Sequence, residues 1–153
     1  GFMSGTMRKE LKFVPLCVDR MLALVPPKLL PSGCKTLPLE AISDIDFIIP
    51  GEGSNYDIGR ILRTAGVRPR VKYSVSDDYA AVAMAEGGLG MTIVPELILK
   101  GIGGNRAAVE LETACTRTIG IAERSIGTGS PACAAFMRFT ENWVKRHSED
   151  AIQ

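Results

Sequence analysis

The feature that most constrains the fold is an alternation of short apolar strands and helices between residues 46 and 94. The run Phe47-Ile48-Ile49 leads into a glycine-rich loop, and a helix follows whose apolar residues recur with one-face spacing. A strand at 70–75, a second helix and a strand at 89–94 complete the series. Because strands that alternate with helices pack as parallel sheets with crossover helices, this region predicts an α/β fold.

Strands flank this region on both sides. We predict strands at 11–17 and 21–25, separated by a short break at Val18-Asp19-Arg20, and further strands at 109–111 and 116–122. Pro131 opens a last helix, since proline is favoured at the first helical position. One side of that helix is expected to belong to the core, and it comprises Cys133, Phe136, Met137, Thr140, Trp143 and Val144.

The charge balance argues against direct DNA binding, and the hydropathy pattern argues against a membrane. The 18 basic residues are offset by 17 acidic ones, whereas duplex-binding modules carry strong basic patches. No apolar stretch approaches the roughly 20 residues of a membrane span, and we expect no signal peptide at the start. The sequence therefore predicts a cytoplasmic domain that does not contact the membrane and does not bind DNA by itself.

No pattern of catalytic or metal-binding residues is present. The cysteines Cys17, Cys34, Cys115 and Cys133 show neither zinc nor disulfide spacing, and we interpret them as free thiols that mostly fill the core. His147 is the only histidine and lies in a polar tail, so no histidine-based catalytic pair can form. We predict no enzyme activity, no catalytic residue, no metal and no cofactor.

The best candidate binding element is the loop that joins the strand at 46–49 to the first helix. Ligands of open α/β sheets bind outside the carboxyl ends of the strands, and a helix N-terminus offers N–H groups and partial positive charge. The glycines allow backbone to approach a ligand closely. The alternative is a plain connection in which Ser54 only caps the helix, in a capping box with Asp57. The candidate residues are Pro50, Gly51, Glu52, Gly53, Ser54 and Asn55.

Ser76 begins the second helix from the same edge of the predicted sheet. It could complete the wall of a binding site there. It could equally do no more than cap its own helix.

The order of several motifs resembles that of a known family. Val14-Pro15-Leu16 is followed by Asp19 and by the run Met21-Leu22-Ala23-Leu24-Val25-Pro26, and Gly66-Val67-Arg68-Pro69 follows the first helix. The clearest match is Gly87-Gly88-Leu89-Gly90-Met91-Thr92-Ile93-Val94-Pro95-Glu96, a glycine, aliphatic, glycine run that ends in proline. Together these motifs resemble the C-terminal effector-binding domain of LysR-type bacterial transcriptional regulators, over about residues 1–146.

The resemblance implies a periplasmic-binding-protein-like α/β fold with one complete lobe and part of a second. It assigns residues 1–16 to a partial lobe I and crossover strand, 17–93 to lobe II, and 94–153 to the return to lobe I with the C-terminal helix. We expect the DNA-binding domain and the first part of the effector domain to be absent.

The resemblance also implies a function. A small effector, such as a carboxylate, would bind between the lobes and modulate DNA binding by a full-length homo-oligomer, with DNA contacted only through the absent N-terminal domain. Ser4, Leu16 and Thr92 would contact the effector in such a domain, although each could be an ordinary strand residue. The alternatives are a solute-binding protein of a transporter and a ligand-binding regulatory domain of an enzyme.

Overall fold

The computed structural model describes residues 1–5, 11–30, 33–51, 54–103, 108–124 and 130–147. The chain divides into two compact units: unit 1 comprises Gly1–Asp19 with Arg117–Gln153, and unit 2 comprises Arg20–Thr116. The chain thus returns to unit 1 at residue 117. Residues 94–116, which the resemblance assigns to lobe I, lie in unit 2.

The strands of unit 2 are the end of β2 (Leu11–Leu24), β3 (Thr36–Leu37), β4 (Asp46–Pro50), β5 (Arg70–Val75), β6 (Thr92–Pro95) and β7 (Ala108–Leu111). Strands β4 and β5 form a two-stranded sheet that an isolated bridge joins to the others. Strand β2 pairs with β6 along one edge and with β7 along the other, both antiparallel, while β3 pairs with β7 and β4 pairs with β5 in parallel. The parallel arrangement predicted for residues 46–94 is therefore confirmed for β4 and β5.

The two helices predicted within residues 46–94 are present, and a third helix follows β6. They are α1 (Asn55–Ala65), α2 (Asp78–Glu86) and α3 (Glu96–Ile102), and short 3₁₀ turns span Pro27–Leu29 and Leu39–Ser43. Helix α1 ends where Gly66 adopts a left-handed φ of 69°, a conformation that glycine reaches without a Cβ clash.

The core of unit 2 has two layers because successive residues of a strand point to opposite faces. Phe47 packs on the side of α1, whereas its neighbour Ile48 packs on the side of α2. Ile93 and Val94 of β6 divide between the layers in the same way. The sheet is therefore covered by a helix on each face, as expected for an α/β unit.

Gly90 lies where the parallel pair of β4 and β5 joins the other strands of unit 2. Met91 bridges to Phe47, and Ile48 N donates to Met91 O at 2.8 Å while Met91 N donates to Asp46 O at 2.8 Å. A Cβ at position 90 would overlap the carbonyl oxygen of Asp46, so only glycine allows the two backbones to approach this closely.

Unit 1 contains β1 (Phe2–Ser4), the first part of β2, β8 (Thr116–Arg124) and α4 (Pro131–His147). Strand β8 lies between β1 and β2. The ring of Phe13 on β2 covers Gly5 and Gly120, and a Cβ at either glycine would overlap that ring. The glycines thus make room for the Phe13 ring.

The predicted break between strands at 11–17 and 21–25 is wrong, because β2 runs without interruption from Leu11 to Leu24. Asp19 is accommodated in the strand because Arg117 on β8 pairs with it through both Nε, at 3.0 Å, and Nη2, at 2.9 Å. The Asp19 side chain is 1% exposed and that of Arg117 is 13% exposed, so this is a buried ion pair.

The predicted core side of α4 is partly wrong. Met137 and Thr140 are buried, but Phe136 and Trp143 are about half exposed, as is Phe139. The inward stripe of α4 passes through Cys133, Met137 and Val144, and Phe136 and Trp143 lie on the adjacent face. Phe136 makes an edge-to-face ring contact with Phe2 at 6.3 Å between centroids.

Among the described residues no helix is long and apolar enough to cross a membrane. All four cysteines are free and only partly buried, so the expectation that most of them fill the core is wrong.

We expect Gly90→Ala to lower the free energy of unfolding by about 3 kcal/mol, because the added methyl group must displace backbone rather than a flexible side chain. Gly87→Ala is the matched control in the same turn, since its Cβ would make an ordinary contact 3.4 Å from Ala83 O. The control should change stability by less than about 0.5 kcal/mol. Urea unfolding of both variants measures the difference, and equal losses would contradict the role given to Gly90.

We expect Asp19→Asn to cost about 3 kcal/mol, because it leaves the Arg117 guanidinium buried without its anion. The double variant Asp19→Leu, Arg117→Met should recover most of this loss, since an apolar pair removes both buried charges. Equilibrium unfolding in urea tests both. A single variant that unfolds like the wild type would show that the pair does not stabilise unit 1.

Candidate functional site

The carboxyl ends of β4 and β5 bring the predicted loop and Ser76 together at one edge of unit 2. The strands are parallel, with Pro50 opposite Val75, so both chains leave the sheet on the same side. Gly51 N donates to Val75 O at 2.6 Å, which extends the pairing by one residue into the loop. The structure therefore places Pro50, Gly51 and Ser76 next to one another.

In the loop between β4 and α1, a side chain contacts the backbone. Asn55 Nδ2 donates to Gly51 O at 3.4 Å. A Cβ at Gly51 would lie 3.2 Å from Val75 O, so this position tolerates little beyond glycine. Glu52 and Gly53 lie outside the described residues.

Ser54 is the unusual residue of this loop. It is fully buried, and its Oγ has no hydrogen-bond partner within the described part of the chain. Its φ and ψ of −76° and −4° are already helical, and the side chain makes no capping bond. The predicted capping box of Ser54 with Asp57 is therefore wrong, because a helical backbone at residue 54 turns the hydroxyl away from the amides that it would cap.

The N-terminus of α2 differs, because it is already occupied by a carboxylate. Asp77, not Ser76, caps this helix: its Oδ1 accepts from Ala80 N at 2.9 Å. The Ser76 hydroxyl donates to Asp77 Oδ2 at 3.1 Å. The hydrogen bond from the Ala80 amide, with that from Ser76, holds the pKa of the Asp77 carboxyl below its ordinary value.

The remaining predicted contacts lie in different places. Thr92 is fully buried on β6, opposite Leu24, and its Oγ1 has no partner among the described residues. Ser4 pairs with Ile119 at the end of β1 in unit 1. Leu16 is half-buried on β2 in unit 1, where it lines a cavity of about 230 Å³ that also touches α4. Among the described predicted contacts of unit 2, Pro50 and Gly51 are the ones that lie next to Ser76.

Two acidic residues near this edge have roles other than those expected from the sequence. Asp57 in the first turn of α1 is buried and lies 3.7 Å from Arg60 Nη2, one turn further along the helix. Asp77 acts as the cap, although Ser76 had been expected to. The available signal was the general preference for Asp at this position, which equals that for Ser.

The described groups at this edge are hydrogen-bonding groups. They are backbone amides at the start of α1, a buried hydroxyl and glycine backbone, which form hydrogen bonds with polar or anionic ligand groups. Among the described residues no group of three or more potential metal-binding side chains occurs.

Comparison with known proteins finds matches over most of the chain. The family model of the LysR substrate binding domain matches residues 3–145. Among curated proteins none is significantly similar to this chain.

Several solved structures share the fold. The CcmR regulatory domain of Synechocystis, in complex with 2-PG, is 17% identical with a TM-score of 0.81, covering 94% of this chain and 72% of that one. The effector-binding domain of QuiR with shikimate is 21% identical with a TM-score of 0.80, covering 95% and 71%. Full-length CbnR with its target DNA is 20% identical with a TM-score of 0.74, covering 95% and 53%. At these identities the likeness shows the fold alone, which is periplasmic-binding-protein-like.

We expect Asp77→Ala to lower the unfolding temperature near neutral pH, because α2 loses its cap. Since the pKa of Asp77 is lower in the folded chain than in the unfolded one, its stabilisation is present above about pH 4 and is lost as pH falls through the folded-state pKa. Calorimetry as a function of pH should therefore show the variant and the wild type converging in acid. A gap that stays constant down to acid unfolding would contradict this.

Proposed function

The chain belongs to the LysR substrate-binding domain family, and from that premise we propose that it senses a small effector on behalf of a bacterial transcriptional regulator. Unit 2 would be lobe II of the sensor. Its effector-binding wall would be formed by the loop Pro50–Asn55 together with Ser76, and Ser4, Leu16 and Thr92 remain proposed contacts.

The observation that carries this proposal is the buried hydroxyl of Ser54. A buried hydroxyl without a partner costs about 1–3 kcal/mol, so natural chains rarely keep one. Ser54 lies between the carboxyl end of β4 and the first turn of α1, where ligands of α/β sheets bind. A ligand oxygen that accepts from this hydroxyl would remove the cost only in the bound state.

The two helix N-termini at this edge favour one position for an anionic group. Asp77 already neutralises the start of α2, so a second carboxylate there would be repelled. Ser54 does not cap the start of α1, whose backbone amides can receive an anion, since Arg60 at 3.7 Å offsets part of the charge of Asp57 in that turn. We therefore propose a small carboxylate as the effector class. Shikimate, which is bound to QuiR, is such a compound.

Effector binding would act by a population shift. A ligand changes an equilibrium only as far as it binds one state better than the other, so the effector must favour one arrangement of the regulator. DNA would be contacted by a separate domain of the regulator; full-length CbnR was solved in complex with its target DNA. We propose a homo-oligomer in the cytoplasm, with α1 as an interface element.

The alternatives have less support. A transporter's solute-binding protein shares this fold, but the matching family model is that of the regulators. The family is one of regulatory domains, not of enzymes.

We expect Ser54→Ala to raise the free energy of unfolding of the ligand-free chain by about 1 kcal/mol, because an unsatisfied buried hydroxyl is removed. The same variant should lose the stabilisation by effector, which is about 2.7 kcal/mol at a concentration of 100 Kd. Thermal unfolding against a panel of small carboxylates, including shikimate, measures both effects.

Thr92→Val is the matched comparison, since it removes the other hydroxyl that is buried without a partner among the described residues, keeps the side-chain shape and tests the proposed Thr92 contact separately. A shift that survives Thr92→Val and disappears in Ser54→Ala locates the effector at the loop. A shift that Ser54→Ala leaves unchanged would remove the loop as the site.

A further inference from the structure

A second candidate ligand site lies in unit 2, beside segment 113–116. It is a cavity of about 270 Å³ between this segment and the last turns of α1. Its described lining residues are all different from Pro50–Asn55 and Ser76. It is therefore independent of the effector site proposed above.

The walls of this cavity are of two kinds. Leu39 and Ile61 are core residues that form an apolar floor, together with the methyl groups of Ala65 and Ala114. Around this floor stand one cation and three hydroxyls, which belong to Arg60, Thr64, Thr113 and Thr116. Small-molecule sites have this composition, an apolar surface with a few polar groups that fix the ligand's orientation.

Arg60 is held in position and keeps donors for a ligand. Its Nη2 donates to Thr116 O at 2.7 Å and lies 3.7 Å from Asp57 Oδ1. Both of these contacts to described residues use the same nitrogen, so Nε and Nη1 remain as donors. A guanidinium fixed in this way loses little conformational freedom when it binds a carboxylate.

We propose that this cavity binds a small monocarboxylate with an apolar body. The carboxylate would pair with Arg60 and the surrounding hydroxyls, and the body would cover Leu39 and Ile61. The neighbouring Asp57 carboxylate disfavours a second negative charge, so inorganic phosphate would bind poorly.

The position of the cavity gives such a ligand a means of regulation. The chain passes from unit 2 to unit 1 between Thr116 and Arg117. Arg60 holds the last carbonyl before that passage, that of Thr116. A carboxylate on Arg60 thus acts on the residue from which the chain leaves unit 2.

Cys115 provides a local readout because it lines the same cavity. Its Sγ donates to Thr113 O at 3.1 Å, and burial raises the pKa of the thiol. We therefore expect alkylation of Cys115 to be slow, and to become slower when a ligand in the cavity covers the thiol. The chain with Cys17→Ser, Cys34→Ser and Cys133→Ser retains this thiol alone. The rate of its reaction with iodoacetamide is measured against butanoate, hexanoate and benzoate at constant ionic strength.

We expect at least one acid to slow alkylation saturably. Arg60→Gln should raise the half-protecting concentration about tenfold, because it removes a charge-assisted hydrogen bond. Thr64→Glu, at an exposed helix position, should also raise the half-protecting concentration, because its carboxylate repels the acid. It replaces Arg60→Gln in the experiment if that variant does not fold. Arg63→Gln, on the same helix but outside the cavity lining, is the matched control and should leave protection unchanged.

Three outcomes would overturn the proposal. They are protection by none of the acids, protection by inorganic phosphate that equals theirs, and protection that is unchanged in both Arg60→Gln and Thr64→Glu. Ser54→Ala separates the two sites. Protection that persists in Ser54→Ala belongs to this cavity, whereas protection lost in Ser54→Ala comes from the effector loop and also contradicts the proposal.

Discussion

The close approach of two backbones at Gly90 is the constraint on which the rest of unit 2 depends. It lets Met91 bridge to Phe47, and so it attaches the parallel pair β4–β5 to the antiparallel strands around β2. Without that attachment, Ile48 and Phe47 would not share a sheet with β6, and the two apolar layers would not be continuous. The glycine-containing run that resembles the LysR family thus has a steric reason, independent of any ligand.

The same attachment forms the edge of unit 2 at which we propose that the effector binds. With β4 buried in the sheet, its carboxyl end and that of β5 open on one side, and each is followed by a helix start. The N-termini of the two helices differ. Asp77 caps α2, whereas the buried Ser54 hydroxyl at the start of α1 has no partner among the described residues. This asymmetry, rather than the glycine content of the loop, is the basis for proposing that a negatively charged ligand binds at α1.

Local periodicity was sufficient to predict the α/β class, the helices and the parallel pair, because strand and helix spacings differ in the sequence itself. Prediction from periodicity failed where a residue distant in the sequence determines the structure. The break predicted in β2 is absent because Arg117, 98 residues away, neutralises Asp19. Helical spacing shows which residues of α4 share a face, but not which face is covered, so Trp143 was misplaced. The cavity at Cys115 is lined by segments that are far apart in sequence, so no local pattern could predict it.

The central claim is that a small carboxylate binds at the start of α1. The most direct measurement is an amide NMR titration of the isotopically labelled chain with the small-carboxylate panel, followed residue by residue. The account predicts saturable shifts for one compound class that are largest at Gly51, Ser54 and Asn55, with Asp78 and the interior of α2 little affected. Shifts that are largest in α2, or that leave the loop between β4 and α1 unchanged, would contradict it.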